Sequence, residues 1–207
     1  MILNRSCHFL CIVSILLVFA LGGSMEAFAR NKAIIANTKI VNEDPALKVS
    51  FAIQNCFTRE MEEAVWSGVE TTFRFLAILE KPGFALAREK MVDVSFEHSI
   101  RYDRIRNEFT VYLQEQNQRV RTTYDFQEAK QWMSEIRNLP LIPLWRLEDG
   151  EQYQLRLKAE LSKVQLPPFL RYIFFWTALW DFETGWHQET FNFDGDHDYS
   201  ADRHPGY

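Results

Sequence analysis

Strict alternation of oily and polar side chains governs this chain. Over residues 92–103, Val92, Val94, Phe96, His98, Ile100 and Tyr102 share one side of an extended backbone. Asp93, Ser95, Glu97, Ser99, Arg101 and Asp103 share the other. A period of two puts successive side chains on opposite faces, so such a segment is a strand with one face buried and one wet. Residues 46–54 repeat the pattern through Leu47, Val49, Phe51 and Ile53. Residues 153–163 repeat it through Tyr153, Leu155, Leu157, Ala159 and Leu161. Residues 69–79 and 109–113 alternate as well, and a weaker strand is expected over 33–41. One polar face on most strands predicts an antiparallel sheet, because parallel strands are covered on both sides.

Two helices interrupt the strands. Thr58 is placed to cap a short helix running to Trp66, with Met61, Ala64 and Val65 on one stripe and Gly68 as the stop. Asp125 opens a second, with Glu128 three residues on in a capping-box spacing. Its stripe is Phe126, Ala129, Met133 and Ile136, and Pro140 and Pro143 are read as its end. Turns fall at 116–118, between two hairpin strands, and at 148–150. The predicted fold is mainly β, with α+β character at the margin: an antiparallel β-sandwich, or a curved sheet, with two short helices.

The amino terminus supplies an address. Arg5, an apolar run from Phe9 to Leu21 and the triplet Ala27-Phe28-Ala29 have the order of a secretory signal peptide. The run is short of the roughly 20 residues a membrane-spanning helix needs. Residues 1–29 are therefore expected to be removed, leaving a single β-rich domain over 30–193 and an acidic, disordered tail over 194–207. The destination is the periplasm or the exterior, free or against a membrane, with no transmembrane span after cleavage. Cys7 and Cys11 leave with the signal, so Cys56 remains alone and forms no internal disulfide. The formal charge of −5 argues against nucleic acid, which calls for a basic face, and gives no pull toward anionic lipid.

The order of these elements carries a resemblance. A short helix ends at Gly68 and is followed by long strands and Arg101-Tyr102-Asp103. Then come the Glu128-Ala129 helix, Leu147 to Gly150, Tyr153-Gln154-Leu155-Arg156, Leu166-Pro167-Pro168 and the closing Trp180-Asp181-Phe182-Glu183-Thr184-Gly185-Trp186. This resembles the bacterial family called domain of unknown function 4390, over about residues 33–193. The resemblance implies an exported envelope protein with no assigned activity, and offers no catalytic residues to carry over.

Several residues invite a chemical reading beside a structural one. Residues 169–193 are dense in aromatics, among them Trp176, Trp180 and Trp186. They form either a central core element or a surface that docks a partner protein or the membrane interface. His98 lies on an apolar strand face, where it is either a core histidine with one partner or a base needing a carboxylate beside it. His187, near Asp181 and Glu183, is the other acid–base or metal position. Cys56 precedes a helix start, which would activate it if exposed, or it is a small buried residue. Arg101, Arg104 and Arg106 around Asp103 either receive an anion or form surface ion pairs. Asp194, Asp196, Asp198 and Asp202 have a calcium-loop rhythm, but Tyr199 replaces the turn glycine and Pro205 the terminal glutamate.

The chain has no G-x-S-x-G, no phosphate-cradling glycine loop and no H-E-x-x-H. The expectation is thus a non-enzymatic accessory or protein-binding module. It would have no catalytic, metal or cofactor residues, and its partner would be an envelope protein or a membrane interface. The alternatives are a hydrolase or metal-dependent enzyme using His98 or His187, and a carrier holding an apolar ligand between its sheets.

Overall fold

The computed structural model describes residues 32–83, 87–117, 119–162 and 183–195. All of these fall within one unit, Lys32–Tyr207. The signal-peptide reading of 1–29, the aromatic run with Trp176 and Trp180, and the tail from 196 onward lie outside the described residues.

Alternation becomes strand nearly everywhere it was read. In chain order the elements are β1 (Ile34–Glu43), β2 (Ala46–Gln54), α1 (Arg59–Trp66), β3 (Thr71–Pro82), β4 (Arg88–Asp103) and β5 (Glu108–Leu113). They continue with β6 (Arg119–Thr123), α2 (Phe126–Ser134), β7 (Glu135–Pro143), β8 (Gln152–Leu161) and β9 (His187–Asn192). The strands make two antiparallel sheets, β1-β2-β7 and β6-β5-β4-β3-β8-β9, which do not close into a barrel. The oily faces meet. Phe51 of β2 and Phe75 of β3 touch edge to face across the layers, ring centroids 6.3 Å apart. Around them Leu47, Val49, Phe73, Leu79, Ile100, Tyr153, Leu155 and Leu157 are fully buried. The fold is the antiparallel sandwich with two short helices that the pattern predicted.

Both helices begin where expected. Thr58 accepts from the Met61 amide at 3.3 Å, and Gly68, at φ +85°, takes the left-handed turn after α1. Asp125 accepts from the Gln127 amide at 2.8 Å. Glu128 does not reach back to complete a capping box, because its carboxylate takes the Thr123 hydroxyl instead.

Two expectations are corrected at the end of α2. The helix stops at Ser134, and Ile136 belongs to β7, not to the helical stripe. Pro140 and Pro143 do not terminate a helix. They sit in β7, opposite Lys48 and Ala46 of β2. β7 is an edge strand, where a residue without an N–H costs no ladder bond on the open side. β1 read weakly because its alternation is interrupted: the register slips between Ala36 and Lys39, and Asn37 stands at φ 55°.

Candidate functional site

The site is built on the far edge of the large sheet. β6 pairs with β5, placing Arg119 opposite Leu113, Arg121 opposite Val111 and Thr123 opposite Phe109. Directly opposed residues share a face, and Phe109, Val111 and Leu113 are buried core. The two arginines therefore occupy inward-facing positions of an edge strand. Among the described residues the small sheet has three strands, and it is α2 that packs over β5 and β6.

Between β6, α2 and the start of β7 lies a cleft of about 410 Å³. Arg119 and Arg121 enter from β6, Gln131 and Trp132 from α2, Arg137 from β7 and Gln116 from the 3₁₀ turn after β5. The Arg121 guanidinium stands 4.8 Å from the centre of the Trp132 ring, a cation–π distance that holds the long side chain in place. The two acids on the wall are already engaged. Glu135 accepts from Gln131 at 2.8 Å and from the Arg137 Nε at 3.0 Å. Burial pushes the Glu135 carboxyl up, but those bonds and the Arg137 charge outweigh it and hold it below its ordinary value. Glu128 is bonded by Thr123. No acid pairs with Arg119 or Arg121 among the described residues, and with Arg137 and the carboxylates of Glu128 and Glu135 counted the cleft lining carries a net positive charge.

A buried hydrogen-bond chain supports the cleft from behind. His98, on β4, is wholly buried. Its Nδ1 lies 3.2 Å from the Met133 carbonyl of α2, and its Nε2 lies 2.6 Å from the Glu115 carboxylate. A carbonyl only accepts, so Nδ1 carries a proton and Nε2 shares one with Glu115. The other Glu115 oxygen accepts from the Gln116 amide at 3.1 Å. Desolvation raises the Glu115 pKa, yet the hydrogen bond and charge of His98 prevail and leave it lowered. One core pair thus ties α2 to the turn that carries Gln116.

The sequence-marked residues fall elsewhere. His98 does find a carboxylate, but both ring nitrogens are engaged and nothing of it reaches solvent. His187, at the start of β9, meets Glu189 at 2.9 Å and the Thr38 hydroxyl at 3.1 Å, both through Nε2. A proton relay needs acid and nucleophile on opposite nitrogens, and this arrangement has them on the same one. Trp186 is 39% exposed, with the Arg156 guanidinium 4.5 Å from its ring centre. Cys56 is buried, its thiol toward the Ile53 carbonyl at 3.6 Å, and burial pushes its pKa up to about 12. The activating reading of that cysteine is thereby overturned.

Arg106 pairs with Asp103 and Glu108, while Arg101 and Arg104 lie exposed on the same hairpin, whose tip is Ile105. Asp103 caps the turn amides of Arg106 and Ile105, and those bonds lower its pKa. Among the described residues, no three His, Cys, Asp or Glu side chains converge as a metal site, and no helix is long and apolar enough to cross a membrane.

Arg119, Arg121, Trp132 and Arg137 were not singled out in the sequence. The available signal was the spacing Arg119-x-Arg121-x-Thr123 after the turn at 116–118, which a hairpin with 109–113 turns toward the core face. No curated protein and no solved structure matches the chain. The chain matches the model of a family described as Domain of unknown function (DUF4390), over residues 30–190. The chain belongs to that family.

Proposed function

We propose that this is an exported, non-enzymatic binding module of the bacterial envelope, and that it holds a carboxylate-bearing partner in the cleft between β6 and α2. The observation that carries the reading is the pair Arg119 and Arg121. Both point into one cleft, neither has an acid partner among the described residues, and one is steadied by Trp132. Guanidinium groups bind carboxylates through two parallel N–H···O bonds, and pre-ordering them lowers the entropy lost on binding. Gln116 and Gln131 add amide donors on either side. The amino-terminal order of Arg5, the Phe9–Leu21 run and Ala27-Phe28-Ala29 supports export.

An enzymatic role for His98 or His187 finds less support. The first has no free nitrogen for a substrate, and the second lacks relay geometry. The test is a titration of the protein with citrate followed by ¹⁵N NMR. Shifts are expected at the Arg119 and Arg121 Nε–H groups and at the Trp132 indole. They should weaken with added salt, and the Trp132 shift should vanish in the Arg119→Gln/Arg121→Gln variant. Shifts that ignore that double substitution, or none at these groups, overturn the proposal.

A further inference from the structure

We infer that β6 receives an extended segment of a partner protein as an added strand, one that alternates acidic and apolar side chains. The inference rests on the cleft reading above and names its occupant.

The large sheet ends at β6, which is bonded to β5 on one side only; among the described residues no strand lies on its other side. An open strand edge presents unpaired N–H and C=O groups, and the group that complements such a row is another peptide backbone. A small anion or a nucleic-acid phosphate would satisfy the arginines and leave that row unmet.

The side chains of β6 specify the pattern an added strand must carry. On the inward face stand Arg119 and Arg121, with Arg137 across the cleft. On the outward face Val120 is 52% exposed, directly opposite Tyr112, itself 41% exposed. A strand laid beside β6 turns its own residues alternately to these two faces. Acids at every second position meet the guanidiniums. Apolar residues between them extend the Val120–Tyr112 strip. A uniformly acidic segment would leave that strip wet, and a uniformly apolar one would bury two unpaired arginines, at a large desolvation cost. The same inward charges also fit a guard against unwanted edge pairing, and the experiment separates guard from receptor.

The full chain is titrated by calorimetry with an alternating glutamate–valine peptide of about seven residues, long enough at roughly 3.3 Å per residue to run the length of β6. Three comparison ligands follow: the glutamine–valine analogue, the glutamate–valine peptide methylated on alternate backbone nitrogens, and citrate. Amide hydrogen exchange is read over β6 in parallel.

The expected result is binding of the glutamate–valine peptide with slowed exchange at β6 amides. It should be about tenfold weaker for the glutamine analogue and for each of Arg119→Gln and Arg121→Gln, and lost on methylation. Equal binding of the methylated peptide overturns strand addition and leaves the anion cleft standing. Equal binding of the glutamine analogue overturns the acidic specificity. Citrate binding with no peptide binding overturns the inference alone and marks the arginines as an edge guard. Failure of every ligand overturns both this inference and the reading beneath it.

Discussion

At the scale of single residues, the buried His98–Glu115 pair decides most. Both side chains are essentially out of water and joined at 2.6 Å. Removing one partner strands the other, which for buried pairs costs about 3–5 kcal/mol. Replacing both by leucine leaves no orphan charge, so the double variant is expected to lose less than the two single losses added together. Urea unfolding of His98→Leu, Glu115→Leu and the double variant closes that cycle; strict additivity would mean the pair is not coupled.

The acid limb follows from the lowered Glu115 pKa. A carboxyl that ionises more readily in the folded chain contributes stability above its ordinary value of 4.5. That contribution drains away as pH falls from there through the lower folded value, because the unfolded chain takes up the proton first. Glu115→Gln should therefore be less stable at neutral pH and should show a shallower loss below it. An acid limb as steep as the parent's would refute this. Cys56 supplies an independent probe. With its pKa pushed up to about 12, it should resist thiol reagents at mild alkaline pH until the fold opens.

Elements were legible where one rule acted alone and obscure where two competed. β2 was placed with its observed boundaries, because Leu47, Val49, Phe51 and Ile53 alternate without a break and all four are buried. α1 was legible because Thr58 and Gly68 mark its ends by local chemistry. β7 was not. Ile136 keeps a helical spacing from Met133, and two prolines normally exclude a strand. Only pairing with β2, distant in sequence, makes 135–143 an edge strand on which prolines are harmless. The cleft was obscure for the same reason. Arg119 and Arg121 look like ordinary surface residues until β5 assigns their face, and Trp132 lies off the buried stripe of α2.

That placement has a consequence for β6 itself. Inward-facing charge discourages edge-to-edge pairing, so Arg119→Val with Arg121→Val should leave a flat oily edge. The variant is expected to self-associate as concentration rises, measured by sedimentation velocity against the monomeric behaviour expected of the parent. A variant sedimenting like the parent at every concentration would show that the arginines do not protect the edge.

For the whole molecule, the question is whether two sheets make one cooperative structure. Among the described residues, the buried ones form one cluster running from Ala33, just before β1, to Phe193 beyond β9. Phe75 is its junction. It stacks on Phe96 at 5.1 Å, lies 4.7 Å from His98 and meets Phe51 of the other sheet. Other ties bind the layers. Asn42 donates to the Asp194 carbonyl at 2.8 Å, and the Thr38 hydroxyl of β1 lies 3.1 Å from the His187 Nε2 of β9. Neither sheet can shed its partner without wetting these rings. Phe75→Ala should cost about 3–5 kcal/mol, a large share of the roughly 5–15 kcal/mol that holds a domain together. It should move the entire transition, seen alike by far-ultraviolet dichroism and by tryptophan fluorescence. Combined with Phe51→Ala, the two losses should fall short of their sum by about 0.5–1.5 kcal/mol, the worth of an aromatic pair beyond its buried area. If the two probes separate in Phe75→Ala while Phe51→Ala shifts only one of them, the sheets unfold independently. The buried chain from Met133 to Gln116 would then lose its role as a rigid backing, because the cleft would no longer share the stability of the core behind it.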